Sequence, residues 1–198
     1  MCGRLNVIDD PLCRIVCEML GINFKTTTNT DLRPTQDVSA VGVQNGELVQ
    51  RDLSWGIKPE WAKRLIINAQ AETVAVKPTF AQAFEFNRVI VPCSGWYEWR
   101  EEHGKKVKYL FSQSEKKVLY MAGIALEGGS KLVTLTTKPN KQCAEYHHRM
   151  PLLIAQDSLL TWLNGKWPEV FELLSYQFDE NLSIRSGDKN GDGGQFKT

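Results

Sequence analysis

The sequence has no run of about 18 apolar residues, and its start shows no basic segment followed by an apolar stretch. The first absence argues against a transmembrane helix, and the second argues against a secretory signal. We therefore expect a cytoplasmic protein without a membrane partner. The sequence also lacks a glycine-rich phosphate loop and a dinucleotide-binding glycine motif, so we expect no cofactor.

Cysteine is scarce, and its count of five is odd. In a cytoplasmic protein, such a set is typical of free thiols rather than of a disulfide framework. The five residues are Cys2, Cys13, Cys17, Cys93 and Cys143. A zinc site built from Cys13, Cys17 and a histidine would have the wrong local spacing for the common zinc fingers, so we expect no metal.

The chain has no excess of charge of one sign, since 24 Lys and Arg residues oppose 23 Asp and Glu residues. The protein therefore lacks the overall positive field that marks many duplex-DNA-binding proteins. A single strand of nucleic acid needs only a few cations along one groove. The charge balance is thus compatible with a local binding patch.

The length of 198 residues and the 42% of hydrophobic residues suit one domain with a real core, and we expect a single domain over residues 1–198. Apolar periodicity and capping residues predict helices at 10–21, with an Asp cap, and at 79–86, 140–146 and 157–163, the last capped by Asp157. β-Rich runs predict strands at 38–44, 47–53, 88–92, 96–100, 107–112, 118–125 and 131–137. Asn45-Gly46 predicts a tight hairpin turn.

Connections between these strands are mostly too short for helical crossovers, so the pairing should be mainly antiparallel. We predict an α+β fold: a single domain with a curved, largely antiparallel, barrel-like β-sheet flanked by short helices. Residues 186–198 are rich in Gly, Asp and Lys and have little to bury. We expect a loop or a frayed tail there.

Met1-Cys2 is the first pattern that points to chemistry. Methionine is generally removed in the cytoplasm when the second residue is small, so we expect a mature chain that begins with Cys2. An N-terminal cysteine carries an α-amine of pKa about 8 and a thiol of pKa about 8.5 on adjacent carbons. An aldehyde can condense with the amine, and the thiol can then close a five-membered thiazolidine ring.

Four separated segments resemble the SOS response-associated peptidase (SRAP) family, also called abasic site processing proteins. They are Met1-Cys2-Gly3-Arg4, Ile67-Asn68-Ala69-Gln70-Ala71-Glu72-Thr73, Gly95-Trp96-Tyr97-Glu98-Trp99 and His147-His148-Arg149-Met150-Pro151. They span nearly the whole chain in the family's order. The chain departs from the family at Gln70, where the family has arginine, and at Asp31-Leu32-Arg33-Pro34, which replaces Asn-x-x-Pro.

The resemblance implies an abasic-site sensor of the DNA damage response that acts on single-stranded DNA. It implies a covalent thiazolidine crosslink through Cys2 after Met1 removal, with Schiff-base chemistry of the lyase type and an inferred autoproteolytic peptidase activity. Two other functions stay open: an N-terminal-nucleophile cysteine peptidase or amidohydrolase, and a non-covalent single-strand DNA-binding module. A site at the chain terminus requires no second subunit, so we expect a monomer.

The predicted catalytic residues are Cys2, Asn68, Glu98 and His147. Glu98 lies among three aromatic residues, where loss of water should raise the pKa of its carboxyl; the alternative is a strand carboxylate that faces solvent. His147 matches the family's histidine and suits proton transfer during Schiff-base formation, with His148 as the neighbouring alternative and a plain loop or helix-end role as another. The amide of Asn68 suits the hydroxyl of the opened sugar or the backbone of Cys2.

The residues predicted to contact DNA are Arg4, Arg33, Trp61, Gln70 and Arg149. Arg4 and Arg149 have forked donors that suit phosphate, and Arg33 would add charge nearby. Trp61 fits a base-stacking platform, or alternatively a partly buried loop tryptophan. Gln70 adds no charge, which predicts weaker or more salt-tolerant DNA binding at that point. Support of the pocket is expected from Glu72, with an arginine or backbone N–H as its partner, and from Trp96, Met150 and Pro151.

Overall fold

The computed structural model describes residues 3–113 and 117–186. Cys2, the predicted nucleophile, and residues 187–198 of the predicted tail lie outside them. The helices are α1 (Asp9–Leu20), α2 (Pro78–Phe86), α3 (Lys141–Ala144), α4 (Leu159–Asn164) and α5 (Trp167–Leu174). The strands are β1 (Leu5–Val7), β2 (Asn29–Leu32), β3 (Asp37–Gln44), β4 (Glu47–Trp55), β5 (Asn68–Gln70), β6 (Arg88–Cys93), β7 (Gly95–Glu102), β8 (Lys105–Gln113), β9 (Leu119–Leu126), β10 (Lys131–Thr137), β11 (Met150–Pro151) and β12 (Leu182–Ser186).

One of the two sheets closes on itself. Its strands pair in the order β10-β4-β3-β6-β9, and β9 pairs again with β10. The short strands β5 and β11 also pair with β10. All pairings in this sheet are antiparallel except those of β10 with β4 and β5. The prediction of an α+β fold with a curved, largely antiparallel, barrel-like sheet is therefore confirmed.

The second sheet has the order β12-β8-β7-β1-β2 and is antiparallel throughout. Its central pair brings the start of the chain against β7, since Leu5 lies opposite Trp96. The carbonyl of Arg4 accepts a hydrogen bond from the backbone N–H of Tyr97 at 3.0 Å. Because the pairing is antiparallel, Arg4 and Gly3 follow β7 in the direction of Glu98.

The hairpin of β3 and β4 follows the turn chemistry of its sequence. Asn45 and Gly46 have φ angles of 52° and 83°, which match the left-handed conformations of a two-residue hairpin turn. Large side chains fill the core between the sheets and helices, among them the fully buried Trp55, Trp96 and Trp162. Burial of one such side chain contributes about 2 kcal/mol or more to folding.

Both predicted aspartate caps differ from the structure. Asp10 has extended φ and ψ angles of −110° and 123°, and no side chain caps α1. The neighbouring Asp9 accepts hydrogen bonds from the Thr28 hydroxyl at 2.6 Å and from the backbone N–H of Asp10 at 3.0 Å. Asp157 lies in a 3₁₀ turn before α4 and accepts from the Ser158 hydroxyl at 3.0 Å. Local side-chain partners thus replace the expected caps.

Several short elements did not stand out in the sequence: α5, β1, β2, β5, β11 and β12. The predicted tail began one residue too early, because Ser186 ends β12 and pairs with Tyr109 of β8. β12 is an edge strand of five residues with no fully buried side chain, so it has no clear hydrophobic alternation. None of the helices in the described residues is long and apolar enough to cross a bilayer.

Candidate active site and nucleic-acid cleft

Glu98 lies in the middle of β7 and is only 3% exposed, so the alternative of a solvent-facing carboxylate is wrong. Burial raises the pKa of its carboxyl from 4.5 to about 7. On the same sheet, Trp96 stacks on Phe111 with ring centroids 4.9 Å apart and excludes water from this part of the strand. A carboxyl with this pKa exchanges a proton readily near neutral pH.

The segment after α3 holds His147 beside the same region. Asn140 caps α3 by accepting the backbone N–H of Cys143 at 2.9 Å, and the N–H of His147 donates to the Cys143 carbonyl at 3.0 Å. The His147 Nδ1 lies 3.1 Å from the backbone nitrogen of Arg149, which orients the ring. Burial lowers the pKa of His147, so its imidazole is neutral at neutral pH.

Cys143 connects this segment with Glu98 electrostatically. Burial and, to a smaller extent, the negative charge of Glu98 together raise the pKa of its thiol to about 12. A thiol with this pKa is protonated at neutral pH and is a poor nucleophile. The Glu98 carboxyl is thus close enough to Cys143 of α3 for its charge to act on the thiol.

Arg149 is held by Glu72, which gives this glutamate the arginine partner that the sequence suggested. The two terminal nitrogens of Arg149 lie 2.7 and 2.8 Å from the two carboxylate oxygens of Glu72. One of them also donates to the Thr136 carbonyl at 2.6 Å, and the Arg149 side chain is only 12% exposed. Met150 and Pro151 follow as β11 and pair with β10. These contacts fix the loop that carries His147.

Asn68 is placed by parallel pairing of β5 with β10, where it lies opposite Thr134. The Thr134 hydroxyl donates to the Asn68 Oδ1 at 2.6 Å. This hydrogen bond engages the Asn68 oxygen as an acceptor and thereby orients the NH₂ group of the amide.

A cleft of about 460 Å³ brings several of the predicted residues together. Its lining includes Trp61, Asn68, Gln70, His148 and Arg149. Trp61 is 68% exposed, so the alternative of a partly buried loop tryptophan is wrong. His148 stacks on His147 with ring centroids 4.3 Å apart, which connects the cleft to the segment beside Glu98.

Arg4 and Arg33 do not line this cleft and instead share Asp31. The Arg4 Nη1 lies 2.5 Å from Asp31 Oδ1, and the Arg33 Nε lies 2.9 Å from Oδ2. These hydrogen bonds, that of Arg33 above all, hold the pKa of Asp31 well below its usual range. Arg4 also lies over the Trp99 ring at 5.5 Å. Because side chains alternate along a strand, Trp99 and Glu98 point to opposite faces of β7.

Sequence reasoning gave no role in this region to five residues: Asp31, Lys77, Thr134, Thr136 and Cys143. Thr134 and Thr136 did leave a signal, since they flank Leu135 and follow the apolar pair Leu132-Val133 in β10, and both are buried. Lys77 had none, because a lone lysine before a proline is common on surfaces. Within residues 3–113 and 117–186, no three His, Cys, Asp or Glu side chains are placed to hold a metal ion.

A family model described as SOS response associated peptidase (SRAP) matches residues 1–187. The chain belongs to the SRAP family. One relative of this SRAP chain, abasic site processing protein YoaM of Bacillus subtilis strain 168, is 28% identical over 197 residues, which cover 90% of this chain and 87% of YoaM. Abasic site processing protein YedK of Escherichia coli K12 is 28% identical over 116 residues, covering 55% of this chain and 52% of YedK.

Solved structures share the fold of this chain. A phage-related protein of Bordetella bronchiseptica superposes with a TM-score of 0.76 over 93% of each chain, at 21% identity. A protein of Bacteroides thetaiotaomicron superposes with a TM-score of 0.71 over 93% of this chain and 91% of its own, also at 21% identity. The motif on the loop after α3 contacts the motif that begins with β5, since Arg149 binds Glu72 and residues of both motifs line the same cleft.

Proposed function

We propose that this protein binds single-stranded DNA at an abasic site and bonds to it covalently through Cys2 after loss of Met1. The observation that carries the proposal is Glu98, a buried carboxyl with a pKa of about 7, on the strand against which the start of the chain pairs. The names of YoaM and YedK, both abasic site processing proteins, support the same substrate.

The proposed reaction joins the open-chain aldehyde of the abasic sugar to the freed cysteine. The Cys2 amine attacks the aldehyde carbon, and water leaves to give an imine. The Cys2 sulfur then bonds to the same carbon, while the thiol proton ends on the ring nitrogen. The product is a thiazolidine, and the DNA strand is not cut. The second bond forms within one molecule and is therefore entropically favoured.

Glu98 and His147 suit the proton transfers of this sequence. Departure of water from the carbinolamine needs an acid, and reversal of the linkage needs a proton returned to the sulfur. Glu98 can donate and accept a proton near neutral pH because of its raised pKa. The neutral imidazole of His147 can accept a proton as a base while Glu98 donates one as an acid. Asn68, oriented by Thr134, is assigned to the sugar hydroxyl.

In this proposal the cleft holds the DNA next to the lesion. The exposed ring of Trp61 offers a stacking surface that accepts any base. Gln70 lies on the same wall and can hydrogen-bond a phosphate oxygen. Arg149 acts mainly as a positioning residue, because Glu72 holds both of its terminal nitrogens. Arg4 and Arg33 would contact DNA only along the face of β7 that carries Trp99.

A denaturing gel tests the proposal. Processed protein is incubated with a single-stranded oligonucleotide that bears one abasic site, beside Cys2→Ala, a form that retains Met1, and Cys13→Ser as a control for general thiol loss. We expect a heat-stable shifted band with wild type and Cys13→Ser alone. DNA binding without a shifted band would instead favour the non-covalent module. Peptide hydrolysis with an acyl-enzyme burst would favour the N-terminal-nucleophile hydrolase.

A further inference from the structure

The cleft lined by Trp61, Gln70 and Arg149 must balance the charge of any DNA phosphate that enters it. Its lining includes two basic residues, Arg149 and Lys77. Gln70 is neutral, and the apolar walls provide no charge. Among the lining residues, Lys77 and Arg149 are therefore the candidates to meet the phosphate.

Arg149 is poorly suited to this role because its charge is already balanced. Glu72 binds it through two hydrogen bonds of 2.7 and 2.8 Å, and Thr136 takes a third from the same guanidinium. A bidentate arginine–carboxylate pair is nearly neutral at a distance of a few ångströms. A phosphate would have to compete with Glu72 or accept its repulsion at close range.

Lys77 is exposed and forms no ion pair with any of the described residues. Its backbone is nevertheless fixed: its N–H donates to the Thr73 carbonyl at 3.0 Å, and its own carbonyl accepts from Phe80 and Ala81 at 2.9 Å. The ammonium group thus moves on a flexible stem from an anchored Cα at the wall of the cleft. Thr79, on the same wall, adds a hydroxyl donor.

We propose that Lys77 binds a backbone phosphate of single-stranded DNA in this cleft and supplies the charge that Gln70 lacks there. The proposal rests on the proposed function, because it takes single-stranded DNA as the occupant. It assigns the salt-dependent part of binding in the cleft to Lys77, and it assigns Arg149 to the support of the loop that carries His147.

The chain offers a matched control in Lys166. Like Lys77, Lys166 is exposed, is the extended residue before a helix and is followed by a proline in the first turn. It lies near the other end of α2, since its neighbour Trp167 contacts Phe84. That is about 10 Å from Lys77 along the helix axis. Replacement of either lysine by glutamine changes the net charge equally.

The experiment measures the affinity of the full chain for an oligonucleotide without an abasic site, by fluorescence anisotropy over a salt series. We expect the slope of log K against log salt to become shallower by about 0.7 in Lys77→Gln. We expect no change in Lys166→Gln and retention of the slope in Lys77→Arg. A wild-type slope in Lys77→Gln, or equal losses in the two glutamine variants, would overturn the proposal. Thermal unfolding of each variant confirms that it folds.

The same samples separate this proposal from the proposed function. Wild-type protein that binds the plain oligonucleotide with a salt slope dependent on Lys77, yet forms no covalent band with an abasic one, would refute the crosslinking function and leave the role of Lys77 standing. A covalent band together with an unchanged slope in Lys77→Gln would support the crosslinking function and refute the role of Lys77.

Discussion

Replacement of Glu98 by glutamine should make the protein more stable at alkaline pH while it slows the proposed chemistry. The folded state holds this carboxyl at a pKa of about 7, against 4.5 for an unperturbed glutamate. A raised folded-state pKa means that the folded state binds the proton more tightly than the unfolded state. Its contribution is therefore fully present below pH 4.5 and is lost as the pH rises to about 7.

The magnitude follows from the two pKa values. Each pH unit between them costs about 1.4 kcal/mol, so wild type should lose about 2 to 3 kcal/mol of unfolding free energy between pH 5 and pH 8 through Glu98. Because glutamine has nearly the same shape and no titration, Glu98→Gln should not show this loss. The effect of Glu98→Gln on the unfolding free energy is compared between two pH values. A hydrogen bond that the substitution weakens equally at both pH values therefore does not contribute to the result.

The assay is urea unfolding of both proteins at pH 5 and pH 8, with Glu47→Gln as an exposed carboxylate control on β4. The unfolding free energy of Glu98→Gln relative to wild type should be larger at pH 8 than at pH 5. The Glu47→Gln control should show no such dependence on pH. The crosslinking rate of Glu98→Gln should fall more than its affinity for DNA. Equal gains at the two pH values would refute the reasoning on burial. A large loss of affinity with a normal rate would refute the catalytic assignment.

Three further substitutions test the cleft. Trp61→Ala should weaken single-stranded DNA binding by about 1–3 kcal/mol and leave folding intact, since the ring is 68% exposed; an unchanged dissociation constant would contradict the stacking role. Gln70→Arg should tighten binding and steepen its salt slope by about 0.7, and an unaltered slope would remove Gln70 from the phosphate path. Glu72→Ala should lower the unfolding free energy by about 1 kcal/mol, because solvent partly screens the 39% exposed Glu72 in its pair with Arg149. A urea midpoint of Glu72→Ala equal to that of wild type would contradict a stabilising role of the Glu72–Arg149 pair.

The sequence was most informative where one local rule acts alone. Asn45-Gly46 fixed the hairpin because only a few residues adopt positive φ without cost. Long, strongly apolar strands such as β9 were also found at nearly their true bounds. Among the elements that were missed, β5 and β11 have only three and two residues and pair with β10. Their stability is tertiary and leaves little periodicity.

The sequence indicated candidate site residues but not the contacts that these residues make. Motif resemblance selected Asn68, Glu98 and His147, and aromatic neighbours correctly indicated the burial of Glu98. The partners that decide their behaviour come from distant segments. Thr134 orients Asn68, and nothing in the local sequence of either residue specifies the other. Arg149 shows the same limit, since a forked cation beside the site suggested phosphate before its pairing with Glu72 was known.

The mass of the protein before and after incubation with an abasic oligonucleotide tests the central claim most directly. The account predicts a mature protein that lacks Met1, and an adduct whose mass equals protein plus DNA minus one water. It also predicts that the adduct resists borohydride, because the sugar carbon is bonded to both nitrogen and sulfur of Cys2. A protein that keeps Met1 and still forms the adduct, or an adduct that maps to any residue other than Cys2, would contradict it.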